Sequence, residues 1–600
     1  MASPKQVSEH EAQGEVERVL HEMRRTLRVT GLDVTVRTWA GFERFLVAMW
    51  EAMGPNTETR AFEAAADEVR AQAVEAAGRL GRLGAWEAAL LGESQRYHVR
   101  GALELYHYLN PKMLVFTSAV KLALQDEPVG ALQPLGSAER MERGAPARMR
   151  AMEEVEERPD DARLRSLFKD IEETVGPPVL PGEFRGLALW PGYLEAAWER
   201  LKPRLRTEEW ARACDALLET SRRLARRLPY EVALSKERLE VLREDAEAHP
   251  AGDGAVRVAA AGAGDGDGDA GGGRGRPRAA AALPGGGAAG AGLRGGGGAA
   301  MNWREYQARQ RVVELGHRFI SYVDEGRGAP LVLLHGIPTW GFLWSGLLPA
   351  LSLTHRVLIP DLLGYGYSDR REGFDRSIAR QAEALDAWMD RLGVEDAVVV
   401  GHDIGGGIAQ HLAVRFPRRV SRLCLMNSIC FDSWPIEMMV QLGHPAVVRK
   451  LSAQAVQRML KVALKRMGFA TAPPDGLVEG LLAPYATEVG KTSLVRDAAA
   501  LDTNQTQELV PRLPHMAVPT RVVWGVEDTF QPVKWGERLA WEIPGAKLVR
   551  VERARHFVMW DQPHAVMTAL YEFLGMEERP RLEGLEPRDA EVPSLQGPLI

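Results

Sequence analysis

The apolar positions of this chain follow two different periods, separated by a stretch that follows neither. Up to about residue 248 they recur at helical spacing. Val19–Leu27 and Leu167–Val175 each present one apolar face, and the spacing predicts further helices over Tyr97–Leu109 and Met113–Leu124, divided at Asn110-Pro111. An internal repeat runs through this half. Phe45-Leu46, Trp50-Glu51 and Pro55 recur without gaps as Tyr193-Leu194, Trp198-Glu199 and Pro203, and Thr26, Leu32, Arg37 and Ala40 recur as Thr174, Leu180, Arg185 and Ala188. The prediction is an all-α domain with pseudo-twofold symmetry over residues 1–248. From Pro250 to Ala300 the chain is nearly all Gly, Ala, Asp, Arg and Pro, and no Phe, Trp or Tyr occurs between Tyr230 and Trp303. Such a segment cannot bury enough apolar area to offset chain entropy, so 249–300 is expected to be a disordered linker. Beyond it the period changes again. Leu331–Leu334, Val357–Pro360 and Ala397–Val400 are short apolar runs, the first reading as a buried strand, and Thr520–Gly525 and Leu548–Val551 read as two further strands; their alternation with helical patterns predicts an α/β domain over 301–577. A helical, Met- and Leu-rich insertion at about 432–502 reads as a cap on that domain, and the Glu/Pro/Arg-rich tail, 578–600, is expected to be disordered.

Composition narrows the function classes. The chain has 600 residues, enough for several domains, and a formal net charge of −6. No basic patch is interleaved with aromatics, which argues against nucleic acid; the Arg-rich stretch Ser221–Arg227 alternates with apolar residues and reads as a solvated helix face. The three cysteines, Cys214, Cys424 and Cys430, have neither metal nor disulfide spacing, so no metal or cofactor is expected. No signal peptide or membrane-length apolar run is present, and the expectation is a cytoplasmic enzyme acting on a small molecule, with no membrane partner. No pattern speaks to oligomeric state.

The chemistry concentrates around Gly401-His402-Asp403-Ile404-Gly405-Gly406. A strand run precedes it and a helical pattern, Ile408–Ala413, follows, which is the setting of a nucleophile elbow. Its centre is an aspartate, and a carboxylate nucleophile suits attack on an sp³ carbon to give an enzyme-bound ester. The adjoining Gly405-Gly406-Gly407 lacks the Lys-Ser/Thr of a phosphate loop and serves packing instead. Upstream, Leu331–Leu334 runs into His335-Gly336-Ile337-Pro338, where the backbone N–H of Ile337 could pair with that of Ile404 as an oxyanion hole. Asp361–Asp369 forms a glycine-rich strand-to-helix turn. Downstream, one strand delivers Asp528 and the next delivers His556. The order nucleophile, acid, histidine resembles the α/β-hydrolases from about Trp303 to Leu574, specifically the branch with an aspartate nucleophile: haloalkane and haloacetate dehalogenases and epoxide hydrolases. The resemblance implies that Asp403 attacks carbon, that His556 activates the water that cleaves the ester, and that Asp528 orients His556. Asp432 is the rival acid, because some dehalogenases place it after the strand following the elbow. Two departures bear on the substrate. The positions where dehalogenases hold the halide carry Ile337 and Ile404, neither with a side-chain donor. Epoxide hydrolases use two cap tyrosines, whereas the cap here offers only Tyr485; Trp434 is its one indole placed to bind a halide. The expected reaction is hydrolysis at a carbon–halogen, epoxide or ester bond.

The front half resembles the all-helical group I 2-haloacid dehalogenases over about Val16 to Glu247. The match is carried by Thr26–Val29, Phe45–Trp50, Tyr108-Leu109-Asn110-Pro111-Lys112, Phe184–Ala188 and Trp190-Pro191. That family activates water directly with an aspartate, whose place here is Glu183. Asn110 matches a residue near the substrate carboxylate, and the tyrosine expected three places on is Met113. Glutamate can still act as a general base, but its extra methylene shifts the carboxylate, and the alternative is a catalytically idle scaffold. Copy two also stops early: after Leu239–Leu242 it meets the Gly/Ala-rich stretch where copy one continues into two helices. Either that stretch evolved as a linker or the closing helices were lost to a reading-frame change, with Met301 marking the start of a once-separate hydrolase. The truncation leads us to expect poor cover over Leu187, Leu194 and Trp198.

Overall fold

The computed structural model describes residues 6–176, 180–235 and 301–576. The linker and tail expected at 249–300 and 578–600, and the end of the second repeat after 235, lie outside the described residues.

Among the described residues the front half has ten helices: α1 (Gly14–Leu27), α2 (Val34–Trp39), α3 (Glu43–Thr57), α4 (Arg60–Leu80), α5 (Ala85–Ala88), α6 (Glu93–Leu124), α7 (Ala162–Val175), α8 (Gly182–Leu187), α9 (Pro191–Arg204) and α10 (Glu208–Ala225). The first residues of α1, α2, α3 and α4 stand at one identical spacing from those of α7, α8, α9 and α10. The repeat extends to hydrogen bonds: Trp50 Nε1 donates to Glu22 Oε2 at 2.8 Å, and Trp198 Nε1 to Asp170 Oδ2 at 2.8 Å. In each copy an indole thus ties the third helix of the set to the first.

Two expectations need correction here. Tyr97–Leu109 and Met113–Leu124 are not two helices but parts of the single helix α6. Pro111 cannot donate to His107 O and so opens the helical ladder. The Arg70 guanidinium fills the gap, donating to His107 O at 3.1 Å and to Tyr108 O at 3.3 Å. The second correction concerns cover. Leu187, Leu194 and Trp198 are 8%, 1% and 4% exposed, so they are buried in the front core. The ring of Phe184 meets Trp198 edge-on at 5.6 Å, and Trp86, just inside α5, packs on Tyr193 at 5.2 Å. α5 and α8 thus supply part of that cover in the full chain.

The back half is built on one eight-stranded sheet in the order β1-β2-β4-β3-β5-β6-β7-β8. The strands are β1 (Arg311–Leu315), β2 (Arg318–Glu325), β3 (Pro330–Leu334), β4 (Arg356–Pro360), β5 (Ala397–His402), β6 (Val420–Met426), β7 (Thr520–Gly525) and β8 (Lys547–Val551). The β1–β2 and β2–β4 pairs are antiparallel; every pair from β3 onward is parallel. Leu331–Leu334, Val357–Pro360 and Ala397–Val400 became buried strands, as two-sided cover by helices requires, whereas β8, at the sheet edge, is buried only at Val551. Residues 437–499 supply the helical cap between β6 and β7.

The two halves touch along α6 and the β1 edge. Ser94 N donates to Gln310 O at 3.0 Å, and Tyr97 OH to Glu314 Oε1 at 2.9 Å. Nearer the cap, Arg370 pairs with Glu153 at 2.7 Å with both side chains largely buried.

Candidate active site

Asp403 sits at the turn between β5 and the helix Ile404–Arg415 with φ 54° and ψ −122°, a conformation that costs energy for any residue with a Cβ. Its neighbours must be small for the turn to form. A Cβ on Gly401 would come within 2.4 Å of Gly405 O, and one on Gly405 within 2.5 Å of His335 O. The strain lifts the carboxylate off the strand end and into reach of two amides. Ile337 N donates to Asp403 Oδ1 at 3.0 Å, and Ile404 N is hydrogen-bonded to the same carboxylate.

The imidazole of His556 bridges two carboxylates. Its Nε2 lies 3.5 Å from Asp403 Oδ2 and its Nδ1 lies 2.9 Å from Asp528 Oδ2. Asp528 is fixed in turn: Oδ1 accepts from Phe530 N at 2.8 Å and Gln531 N at 3.0 Å, and Oδ2 accepts from Asn427 Nδ2 at 2.6 Å. His402 Nε2 lies 2.9 Å from His556 O, and the Phe530 ring meets the imidazole edge-on at 5.2 Å. Burial by itself would lower the His556 pKa, but the charge of Asp528 and the contact with Asp403 reverse this and hold it above its usual value. Burial pushes the Asp403 carboxyl up; its bond and attraction to His556, with the Ile404 amide, outweigh that and leave it below the ordinary range. Both directions favour the charged forms, carboxylate beside imidazolium. Asp432, the rival acid, is exposed at the start of the cap.

A cavity of about 30 Å³ adjoins these groups. Of the residues singled out from sequence, Ile337, Ile404 and Trp434 line it beside Asp403 and His556. Tyr485 does not: it is fully buried, and its hydroxyl donates to Thr339 O at 3.1 Å. Trp434 reaches the cavity wall, but its indole N–H is spent on Thr506 Oγ1 at 2.6 Å. Asn427 and Gln531 were missed from sequence. Asn427 follows β6 in a left-handed conformation (φ 42°), and its contact with Asp528 crosses from one parallel strand end to the next, which no local pattern signals.

Asn110 and Glu183 meet each other in the front half, where Asn110 Nδ2 donates to Glu183 Oε1 at 2.5 Å. Burial raises the Glu183 pKa to about 7, against the opposing bond from Asn110. Glu154, between Arg37 at 2.7 Å and Arg185 at 3.4 Å, lies close by. Among the described residues no group of three or more His, Cys, Asp or Glu is arranged to hold a metal ion, and no helix is long and apolar enough to cross a membrane.

Comparison with known proteins follows the same division. The α/β hydrolase fold model matches residues 329–563, and the model described as "Halocarboxylic acid dehydrogenase DehI" matches residues 32–177. Haloalkane dehalogenase 2 of Mycobacterium tuberculosis is 32% identical over 279 residues, which is 43% of this chain and 91% of that protein. A cis-3-alkyl-4-alkyloxetan-2-one decarboxylase of Shewanella oneidensis is 28% identical over 274 residues, covering 42% of this chain and 85% of its own. A solved α/β hydrolase fold protein from Burkholderia ambifaria is 28% identical, covers 44% of this chain and 97% of its own, and superposes with a TM-score of 0.42. A DehI-type helical domain thus precedes a hydrolase domain, and through that second domain the chain belongs to the α/β-hydrolase family that includes the haloalkane dehalogenases.

Proposed function

We propose that the back half hydrolyses halogenated or epoxide small molecules through a covalent ester on Asp403. The observation that carries this reading is the carboxylate itself, held at a strained elbow with two amides on it and an imidazole 3.5 Å away. Asp403 attacks the substrate carbon and the carbon–halogen or carbon–oxygen bond breaks: a halide departs with the bonding pair, and an epoxide oxygen keeps it as a tethered alkoxide. Esterification then removes the negative charge of Asp403, leaving His556 with one carboxylate partner instead of two, so its pKa falls and it gives its proton to solvent or, from an epoxide, to the alkoxide. Neutral His556 takes a proton from water, which attacks the ester carbonyl, and the Ile337 and Ile404 amides hold the oxyanion that forms. Collapse returns Asp403 and releases the alcohol or diol. The haloalkane dehalogenase relative favours a halogenated substrate.

A second reading, an epoxide or ester bond, draws on the missing donors: Ile337 and Ile404 have none, and the Trp434 N–H is engaged. The relative that acts on an oxetan-2-one, a strained cyclic ester, points the same way. The deciding experiment uses the full chain with His556→Gln, offered 1-bromobutane and 1,2-epoxybutane. The expected result is a mass adduct on the peptide containing Asp403, because attack survives while hydrolysis loses its base. An adduct elsewhere, or full turnover by Asp403→Ala, sinks the assignment.

For the front half, the contact between Asn110 and Glu183 and the raised Glu183 pKa support a water-activating site for a 2-haloacid. The competing reading is an idle scaffold. Halide release from 2-chloropropionate by Asp403→Ala, abolished by adding Glu183→Gln, favours the first; no release favours the second.

A further inference from the structure

A larger cavity, of about 550 Å³, lies between the two halves and is of the size that takes a small organic ligand. Neither Asp403 nor Glu183 is among its lining residues. Its wall holds Arg150, whose partly buried guanidinium lies between two rings, 3.9 Å from the centre of Tyr97 and 4.0 Å from that of Phe319. Gly101 of α6 leaves the room for it, since a Cβ there would come within 2.6 Å of Arg150 Nε. Nη1 donates to His98 Nδ1 at 3.2 Å, and burial with the charge of Arg150 keeps His98 neutral, its pKa well below the usual value. Nε and Nη2 donate to none of the described residues, and none of their carboxylates forms an ion pair with Arg150, yet neither nitrogen is sealed inside the protein. His98 and Phe319, which flank the guanidinium, line the cavity with it, so its open edge gives onto that space. The other partly buried cations of the wall are paired: Arg370 with Glu153, Arg371 with Asp369 and Lys461 with Glu479. Burial holds the Arg150 pKa down to about 10. A charge covered in this way without an anion is costly unless something completes it.

We propose that this cavity is a binding site for a monocarboxylate with an apolar body, its carboxylate held by Nε and Nη2 of Arg150. Those two nitrogens form the side-on fork of a guanidinium, which matches the two oxygens of a carboxylate. Arg356 uses the same fork on Asp324, with Nε at 3.0 Å and Nη2 at 2.9 Å from its oxygens. The rest of the ligand meets Trp190, Tyr367, Leu105 and Leu164, which give the cavity apolar walls. A compact dianion such as phosphate suits the site less, because Glu153 and Asp369 stand in the same wall. Glu156 stands there too, but its own burial raises its pKa and so favours its neutral form. The site draws on both halves, Arg150, His98 and Trp190 from the front and Phe319 and Tyr367 from the back. It does not depend on Asp403 being the nucleophile.

The test is isothermal titration of the full chain with 3-phenylpropionate and with its uncharged amide, 3-phenylpropionamide. The expected result is one saturable site for the carboxylate and at least about tenfold weaker binding of the amide, as loss of a charge-assisted hydrogen-bond pair requires. Arg150→Met is expected to weaken carboxylate binding at least about tenfold for the same reason. Gly101→Ala, which keeps the charge but takes its room, is expected to weaken it too, and covers the case that Arg150→Met does not fold. Arg304→Met, which removes an exposed cation from the same wall, should leave affinity within about twofold, and so should Asp403→Ala. No saturable binding to the parent, equal binding of acid and amide, or a loss with Arg304→Met as large as that with Arg150→Met overturns the proposal. A loss confined to Asp403→Ala or Glu183→Gln overturns it as well, by putting the carboxylate at one of those two residues instead.

Discussion

Asp528 and Asp432 both follow strands, and only their surroundings separate them. Asp528 accepts from His556, Asn427 and two backbone amides, whereas Asp432 is exposed. Asp528→Asn should therefore lower turnover by orders of magnitude, about 10⁴-fold in the serine-protease analogue, and Asp432→Asn should be mild. Steady-state rates on whichever probe is turned over check the ranking, and the reverse order would move the acid to Asp432. The same residues carry a pH signature. His556 has a raised pKa in the folded state, so its contribution to stability is complete below about pH 6.5 and is lost as pH climbs through the folded value. Asp403 has a lowered pKa, so its contribution is complete above about pH 4 and is lost as pH falls through its folded value. The melting-temperature gap between the parent and His556→Gln should be widest between about pH 4 and 6.5 and should shrink toward alkaline pH. A gap that grows above pH 7 contradicts the imidazolium assignment.

At the level of elements, α6 shows how a breaker in the sequence is overruled. Asn110-Pro111 predicts a boundary, because proline removes a donor from the ladder. The helix continues, and Arg70, an element away, takes the His107 carbonyl that Pro111 leaves free and also reaches that of Tyr108. Arg70→Ala should leave those carbonyls poorly satisfied and cost about 1–3 kcal/mol, whereas exposed Arg79→Ala should stay within about 0.5 kcal/mol; urea titration reads both. The paired indoles extend the same lesson to the repeat. The tryptophans were legible as a repeat because both copies keep the same residue, but their acceptors, Glu22 and Asp170, differ in type and escape a comparison of identities.

Across the whole molecule, Glu153 of the front half is held by Arg370 and by Thr487 of the cap, and both members of the Arg370 pair are largely buried. Arg370→Ala strands a buried carboxylate, at a cost of about 3–5 kcal/mol, and should divide one calorimetric transition into two as the contact between the halves weakens. An unchanged single transition would mean that the halves do not depend on this pair. What the sequence by itself determined is local: runs such as Val357–Pro360 and Ala397–Val400 are buried strands, the Gly-x-Asp-x-Gly turn is a strained elbow, and residues that recur at one spacing fall on two matching sets of helices. Periodicity and backbone sterics act over a few residues, so a sequence reader sees them directly. Only the tertiary structure decided which carboxylate lies against His556, that Trp434 is spent on Thr506, that Tyr485 faces Thr339, and that Asn427 and Gln531 lie beside Asp528 and the cavity. Each of those outcomes is a hydrogen bond, or the lack of one, set by which strand ends and cap helices meet in space. The parallel order of β6 beside β7 brings Asn427 to Asp528, and no local pattern in the chain contains it.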